Sequence, residues 1–106
     1  MNDVFAVGSC GTIINRNPVD GTWEIQKNTQ GEPIKRTTKS GLNAVFGNGT
    51  KAWAVGDGGT LLSRSGTTWS MRDSGTKIDL SGVWMDGVSS LWMVGYDDIV
   101  RQISAP

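Results

Sequence analysis

At 106 residues the chain is long enough for one small domain with a modest core. Ten acidic and ten basic residues cancel, so net charge does not point to a nucleic-acid partner, and no apolar run reaches membrane-spanning length. The absence of histidine removes imidazole-based triads, the usual imidazole metal ligands and the commonest general base, and a single cysteine, Cys10, rules out an internal disulfide.

In chain order, Met1-Asn2-Asp3 runs into a strand pattern rather than a signal peptide, and Val4-Phe5-Ala6-Val7-Gly8 forms the first short apolar run. Gly11-Thr12-Ile13-Ile14 and Gly21-Thr22-Trp23 follow it. A stretch with Lys27, Glu32, Pro33, Lys35, Arg36 and Lys39 comes next and reads as a solvated loop of mixed charge, able to meet phosphate or an acidic sugar. From Leu42 to Gly75 four runs are separated by tight-turn residues. The run at Leu42 ends in Asn48-Gly49, Ala52-Trp53-Ala54-Val55-Gly56 leads into Asp57-Gly58, Gly59-Thr60-Leu61-Leu62 leads into Ser65-Gly66, and Thr67-Thr68-Trp69 leads into Asp73-Ser74-Gly75. Asn-Gly and Asp-Gly supply the positive φ that two-residue hairpin turns require, so this stretch predicts a four-stranded antiparallel meander. We label its strands a, b, c and d.

The neighbouring segments are partial copies. Strand b occurs three times, ending at Gly8, Gly56 and Gly95; strand a recurs as Leu42, Val45, Phe46 and Leu80, Val83, Trp84, at an offset of 38. Strand c recurs with Ile99-Val100 as a worn third copy, and strand d pairs Trp23 with Trp69. The predicted organisation is residues 1–41 as b-c-d, 42–79 as a-b-c-d and 80–106 as a-b-c, with an insertion between Trp23 and Leu42 and an enlarged c–d turn at Asn17-Pro18-Val19-Asp20. A period near 40 with four strands per unit predicts an all-β chain of β-propeller blades, about two and a half per chain.

The pattern Leu-x-x-Val-Trp, Trp-Ala-Val-Gly-Asp-x-Gly-Thr-Leu-Leu and Gly-Thr-Thr-Trp resembles the repeat of large bacterial propeller proteins and of the photosystem II assembly and stability factor group. It is more distantly similar to BNR/Asp-box propellers, although Ser63-Arg64-Ser65-Gly66-Thr67-Thr68-Trp69 lacks the Asp and one residue of that box. The resemblance covers nearly the whole chain. It implies a propeller fold whose b–c and d–a loops share the face where ligands enter, and it says little about activity, since propellers host unrelated functions.

The same repeat register accounts for Phe5, Trp53 and Trp92, for Phe46 and Trp84, and for Trp23 and Trp69, which are read as packing between sheets. Tyr96 stands where Ser9 and Asp57 stand in the other copies, and the b–c turn changes from Ser9-Cys10-Gly11 to Asp57-Gly58-Gly59 to Tyr96-Asp97-Asp98. A fixed scaffold with differing turns is how loop-borne sites are built. Tyr96, Asp97, Asp98 and Asp57 are therefore the candidate ligand residues, Tyr96 as a platform for a sugar ring and the carboxylates as acceptors for its hydroxyls. For each Asp a purely local turn role is the favoured reading. No metal site, cofactor motif or catalytic constellation emerges: adjacent carboxylates on an extended chain point apart, and Cys10 has no histidine to activate it.

The expectation is a non-catalytic binding module, lectin-like or adhesin-like, with a glycan or protein ligand, no nucleic-acid partner and no membrane insertion. The alternative is a structural or assembly protein docking polypeptides through its rim, or an isolated or engineered piece of a larger propeller. Because each blade buries its faces against two neighbours, two and a half blades predict a homo-oligomer, a dimer of about six blades completing the ring.

Overall fold

Short apolar runs broken by glycine-bearing turns form eleven strands in a computed structural model that describes residues 4–17, 19–48, 51–86, 90–95 and 100–104. The first sheet has the order β1-β2-β3, from Val4–Gly8, Thr12–Arg16 and Trp23–Ile25. The second has the order β4-β8-β7-β6-β5, from Lys27–Asn28, Thr68–Arg72, Leu61–Ser65, Lys51–Gly56 and Leu42–Asn48. The third has the order β11-β10-β9, from Val100–Ser104, Ser90–Gly95 and Leu80–Asp86. All ladders are antiparallel meanders except β4 on β8, which is parallel. The chain is all-β.

The sheets stack with the second in the middle, and its sequence shows why. A strand covered on both faces reads as a continuous apolar run, with alternate residues serving opposite sides. In β6, Ala52 and Ala54 pack with Leu62 and Trp69 against Phe5, Val7 and Ile13 of the first sheet. The residues between them, Trp53 and Val55, pack with Leu61 against Leu80, Val83, Leu91 and Met93 of the third sheet. Full burial stabilises by about 1.5–3 kcal/mol for each large apolar side chain, so these two interlayer clusters hold the stack.

The glycine closing strand b has a steric cause. A Cβ on Gly56 would overlap the carbonyl oxygen of Gly41, and one on Gly95 would lie 2.5 Å from that of Asp79, because the start of strand a crosses tightly there. At Gly8, whose sheet has no strand a among the described residues, a Cβ would meet nothing within 4 Å.

Two expectations are corrected. The insertion is not simply a solvated loop: Ile34 is fully buried, Gln26 and Asn28 are buried, and β4 joins the second sheet as a fifth strand. A single apolar side chain and two amides fix this segment, so it carries no periodic signal. The repeat aromatics also do not share one environment. Trp53 and Trp69 are buried, whereas Trp23 is 48% and Trp84 40% exposed, because their faces belong to the outer sides of the stack.

Candidate functional site

At each of the two described b–c turns, the connection entering strand a lies against the turn. Each described b–c turn is a three-residue 3-10 turn, Ser9–Gly11 and Asp57–Gly59, whose middle residue is left-handed: Cys10 at φ 58° and Gly58 at φ 67°. The d–a segments bond onto these turns. Gly11 N donates to Ser40 O at 2.9 Å, and Ser74 Oγ donates to Gly59 O at 2.6 Å. Thr38-Lys39 and Thr76-Lys77 occupy equivalent places at the offset of 38, and their threonine carbonyls press on Gly11 and Gly59. That repeated dipeptide is a sequence signal for the returning connection.

Of the four candidate ligand residues, Tyr96, Asp97 and Asp98 lie outside the described residues. Asp57 is exposed on the turn face, but its carboxylate is engaged locally. Its Oδ1 accepts from Asn43 Nδ2 at 3.0 Å, and the same amide donates to Leu80 O at 2.8 Å. The turn is held further by Gly58 N donating to Asp79 Oδ1 at 2.8 Å. Asp57 thus ties its turn, through Asn43, to the entry of the third sheet.

The same face carries an arrangement that sequence reasoning missed. A cavity of about 390 Å³ lies between the first b–c turn and the inserted segment, lined by Cys10, Lys35, Arg36 and Lys39. Its basic wall is built from the buried side. Asn28 organises the insertion, accepting from Gln30 N at 2.8 Å and Glu32 N at 3.0 Å and donating to Thr37 Oγ1 at 2.9 Å. Ile34 then anchors a 3-10 turn, Ile34–Arg36, with Thr37 N and Thr38 N donating to its carbonyl. Lys35 and Arg36 follow directly from that anchor, and Lys39 from the strand entry. Three basic side chains and no carboxylate stand in the described lining; their aliphatic stems form most of its surface, so an anion would meet their charges at the rim. The charges were legible in the sequence; their convergence on Cys10 depends on Ile34, which was not. Among the described residues no three potential metal ligands of the histidine, cysteine or carboxylate type cluster together, and no helix is long and apolar enough to cross a membrane.

No family model matches the chain, and no curated protein does. Among solved structures, the crystal structure of the computationally designed Ika4 protein is similar over 100% of this chain and 62% of its own, with a TM-score of 0.74 and 14% identity. At that identity the likeness speaks for the fold alone. The chain spans somewhat less than two thirds of that protein's length.

Proposed function

We propose that this chain is a non-catalytic binding module built of β-propeller blades, recognising an anionic ligand such as an acidic glycan on the face of its b–c turns and d–a connections. The observation that carries this reading is the cavity between Cys10 and the Lys35, Arg36 and Lys39 wall. The wall's backbone stands on a buried anchor rather than on a free loop, so ligand binding would have to order its exposed side chains but little of its main chain. The net charge of zero makes the patch a local feature, separable from bulk attraction to polyanions. The stack of antiparallel sheets in repeat register supports the blade assignment, and turns that vary on a constant scaffold support a recognition role over catalysis. The second reading, an assembly protein, is favoured by the exposed apolar outer sheet faces at Trp23 and Trp84.

The test is a glycan array that includes sulfated and carboxylated sugars, followed by titration of the best hit. Lys35→Glu with Arg36→Glu is expected to abolish binding while leaving the melting temperature nearly unchanged. Hits confined to neutral sugars, or binding that survives the charge reversal, would sink the anionic reading. Hydrolysis of an offered glycan would sink the non-catalytic one.

A further inference from the structure

The two outer faces of the stack repeat, residue for residue, the two faces that are buried together inside it. Across the first sheet, Val4 pairs with Arg16 and Arg16 with Trp23; across the second, Ala52 pairs with Arg64 and Arg64 with Trp69. In the next row outward, Ala6-Ile14-Ile25 corresponds to Ala54-Leu62-Met71. In the second sheet the Ala52-Arg64-Trp69 row is covered: Trp69 is fully buried with its ring 5.7 Å from Phe5 in an edge-to-face contact, and the guanidinium of Arg64 lies 5.1 Å over the same ring, while Met71 at the edge of the next row stays 45% exposed. Its counterpart in the first sheet is open, with Val4 46%, Trp23 48% and Ile25 60% exposed.

The opposite end of the stack shows the complementary face. Phe46 and Trp53 of the second sheet stack at 6.4 Å and are covered by the third sheet. Trp84 and Trp92 stack in the same positions of the third sheet, also at 6.4 Å, with no further described sheet over them: Trp84 is 40% exposed, and Trp92 and Val94 are partly buried. By repeat register, Trp92 and Val94 of the third sheet stand where Phe5 and Val7 stand in the first; Phe5 is what Trp69 and Arg64 cover, and Val7 packs against the same cluster.

We infer that these faces dock on each other between two copies of the chain, head to tail, the first sheet of one copy covering the third sheet of the other. Trp23 takes the place against the partner's Trp92 that Trp69 takes against Phe5, and Arg16 takes that of Arg64. The occupant is a second copy because the interface continues the stacking already present inside the chain, position for position. Trp23 and Ile25 exposed at one end, and Trp84 exposed beside the partly buried Trp92 at the other, make the type of surface that monomers seldom leave in water. The contact is heterologous, so each copy offers two different faces. With three sheets per copy, two copies give six, within the usual four to eight of a closed ring. That closure rests on the propeller reading, whereas the docking does not.

The experiment is light scattering after size exclusion on the purified chain and on two variants, Trp23→Glu and Trp84→Glu, alone and mixed. The wild type is expected at twice 11.3 kDa. Each variant alone is expected to weaken association about thirtyfold or more, the loss typical of a central tryptophan, and to run as a monomer. The equimolar mixture is expected to recover a dimer, since the intact first-sheet face of Trp84→Glu meets the intact third-sheet face of Trp23→Glu. Near-UV circular dichroism checks the fold of each variant, and Ile25→Lys replaces Trp23→Glu if that variant unfolds. A monomeric wild type overturns the proposal, as does a mixture that stays monomeric; a variant that dimerises fully on its own would mean that like faces pair, and overturns it too. A wild-type mass above a dimer overturns the two-copy closure.

Discussion

Trp69 donates its indole N–H to Gln26 Oε1 at 3.0 Å, from β8 of the second sheet to the segment that follows the first sheet. The same oxygen accepts from Arg64 Nε at 3.2 Å. One amide therefore satisfies a buried indole and orients the guanidinium that covers Phe5, joining two sheets and the insertion at a single atom.

Removing that acceptor strands a buried donor, which costs more than the hydrogen bond itself contributes. Gln26→Ala is expected to lower stability by about 1–3 kcal/mol. Gln26→Glu keeps the acceptor beside Arg64 and is expected to lose less at neutral pH. Urea denaturation of both variants checks the order, and equal losses would mean that the acceptor is not what matters.

A second prediction separates backbone conformation from space at one turn. Gly58 and Gly59 both have positive φ, 67° and 76°, but a Cβ at Gly58 would point into open space whereas one at Gly59 would overlap Thr76 O. Gly58→Ala is expected to cost about 1–2 kcal/mol, the left-handed penalty alone, and Cys10 already occupies the matching position at φ 58°. Gly59→Ala adds an overlap with backbone and is expected to cost a further 1–3 kcal/mol, roughly. Denaturant midpoints for the two variants give the ranking directly.

Much of this architecture was legible because strand and turn signals are local. The alternation in Ala52-Trp53-Ala54-Val55 and the turn pairs after it specify a meander whatever lies around it. Repeat register also gives the face on which each aromatic lies. Register does not say whether a sheet covers that face, so Trp23 and Trp69 look alike in sequence while one is half exposed and the other buried. The insertion was illegible for a different reason: Gln26, Asn28 and Ile34 act through single contacts, and no period of two marks them. At the site, the variable b–c turns were readable, but the engagement of Asp57 by Asn43 spans 14 residues and leaves no local pattern.

The enlarged c–d turn carries a pH-sensitive carboxylate. Asp20 Oδ1 accepts from Thr22 Oγ1 at 2.7 Å and from Thr22 N at 2.9 Å, and these bonds hold its pKa below the ordinary 3.8. Since the folded value is the lower one, the charged form favours the folded state. The contribution is complete above the unfolded value of 3.8 and is lost as pH falls through the folded one. Carboxyl NMR titration is expected to place Asp20 below an ordinary Asp, with Thr22→Val moving it back toward 3.8. No movement in that variant would remove the hydroxyl as the cause.

The last prediction concerns an orphaned donor. Trp53 is 1% exposed at the centre of the cluster between the second and third sheets, and its Nε1 finds no hydrogen-bond partner among the described residues. The equivalent indole nitrogen of Trp92 is in the same state, which marks it as a property of the repeat position rather than a local accident. A buried donor without an acceptor carries a desolvation cost of about 1–3 kcal/mol, offset here by the area the indole buries. Phe5 fills this position in the first sheet, so the repeat accommodates a ring without the N–H. Trp53→Ala is expected to cost about 3–5 kcal/mol, because it empties a large aromatic site between two sheets. Trp53→Phe gives up ring volume but also removes the orphan, and is expected to cost less than about 1.5 kcal/mol. Chemical denaturation of the two variants distinguishes volume from polarity: a phenylalanine variant as damaged as the alanine one would show that the indole N–H has an acceptor after all.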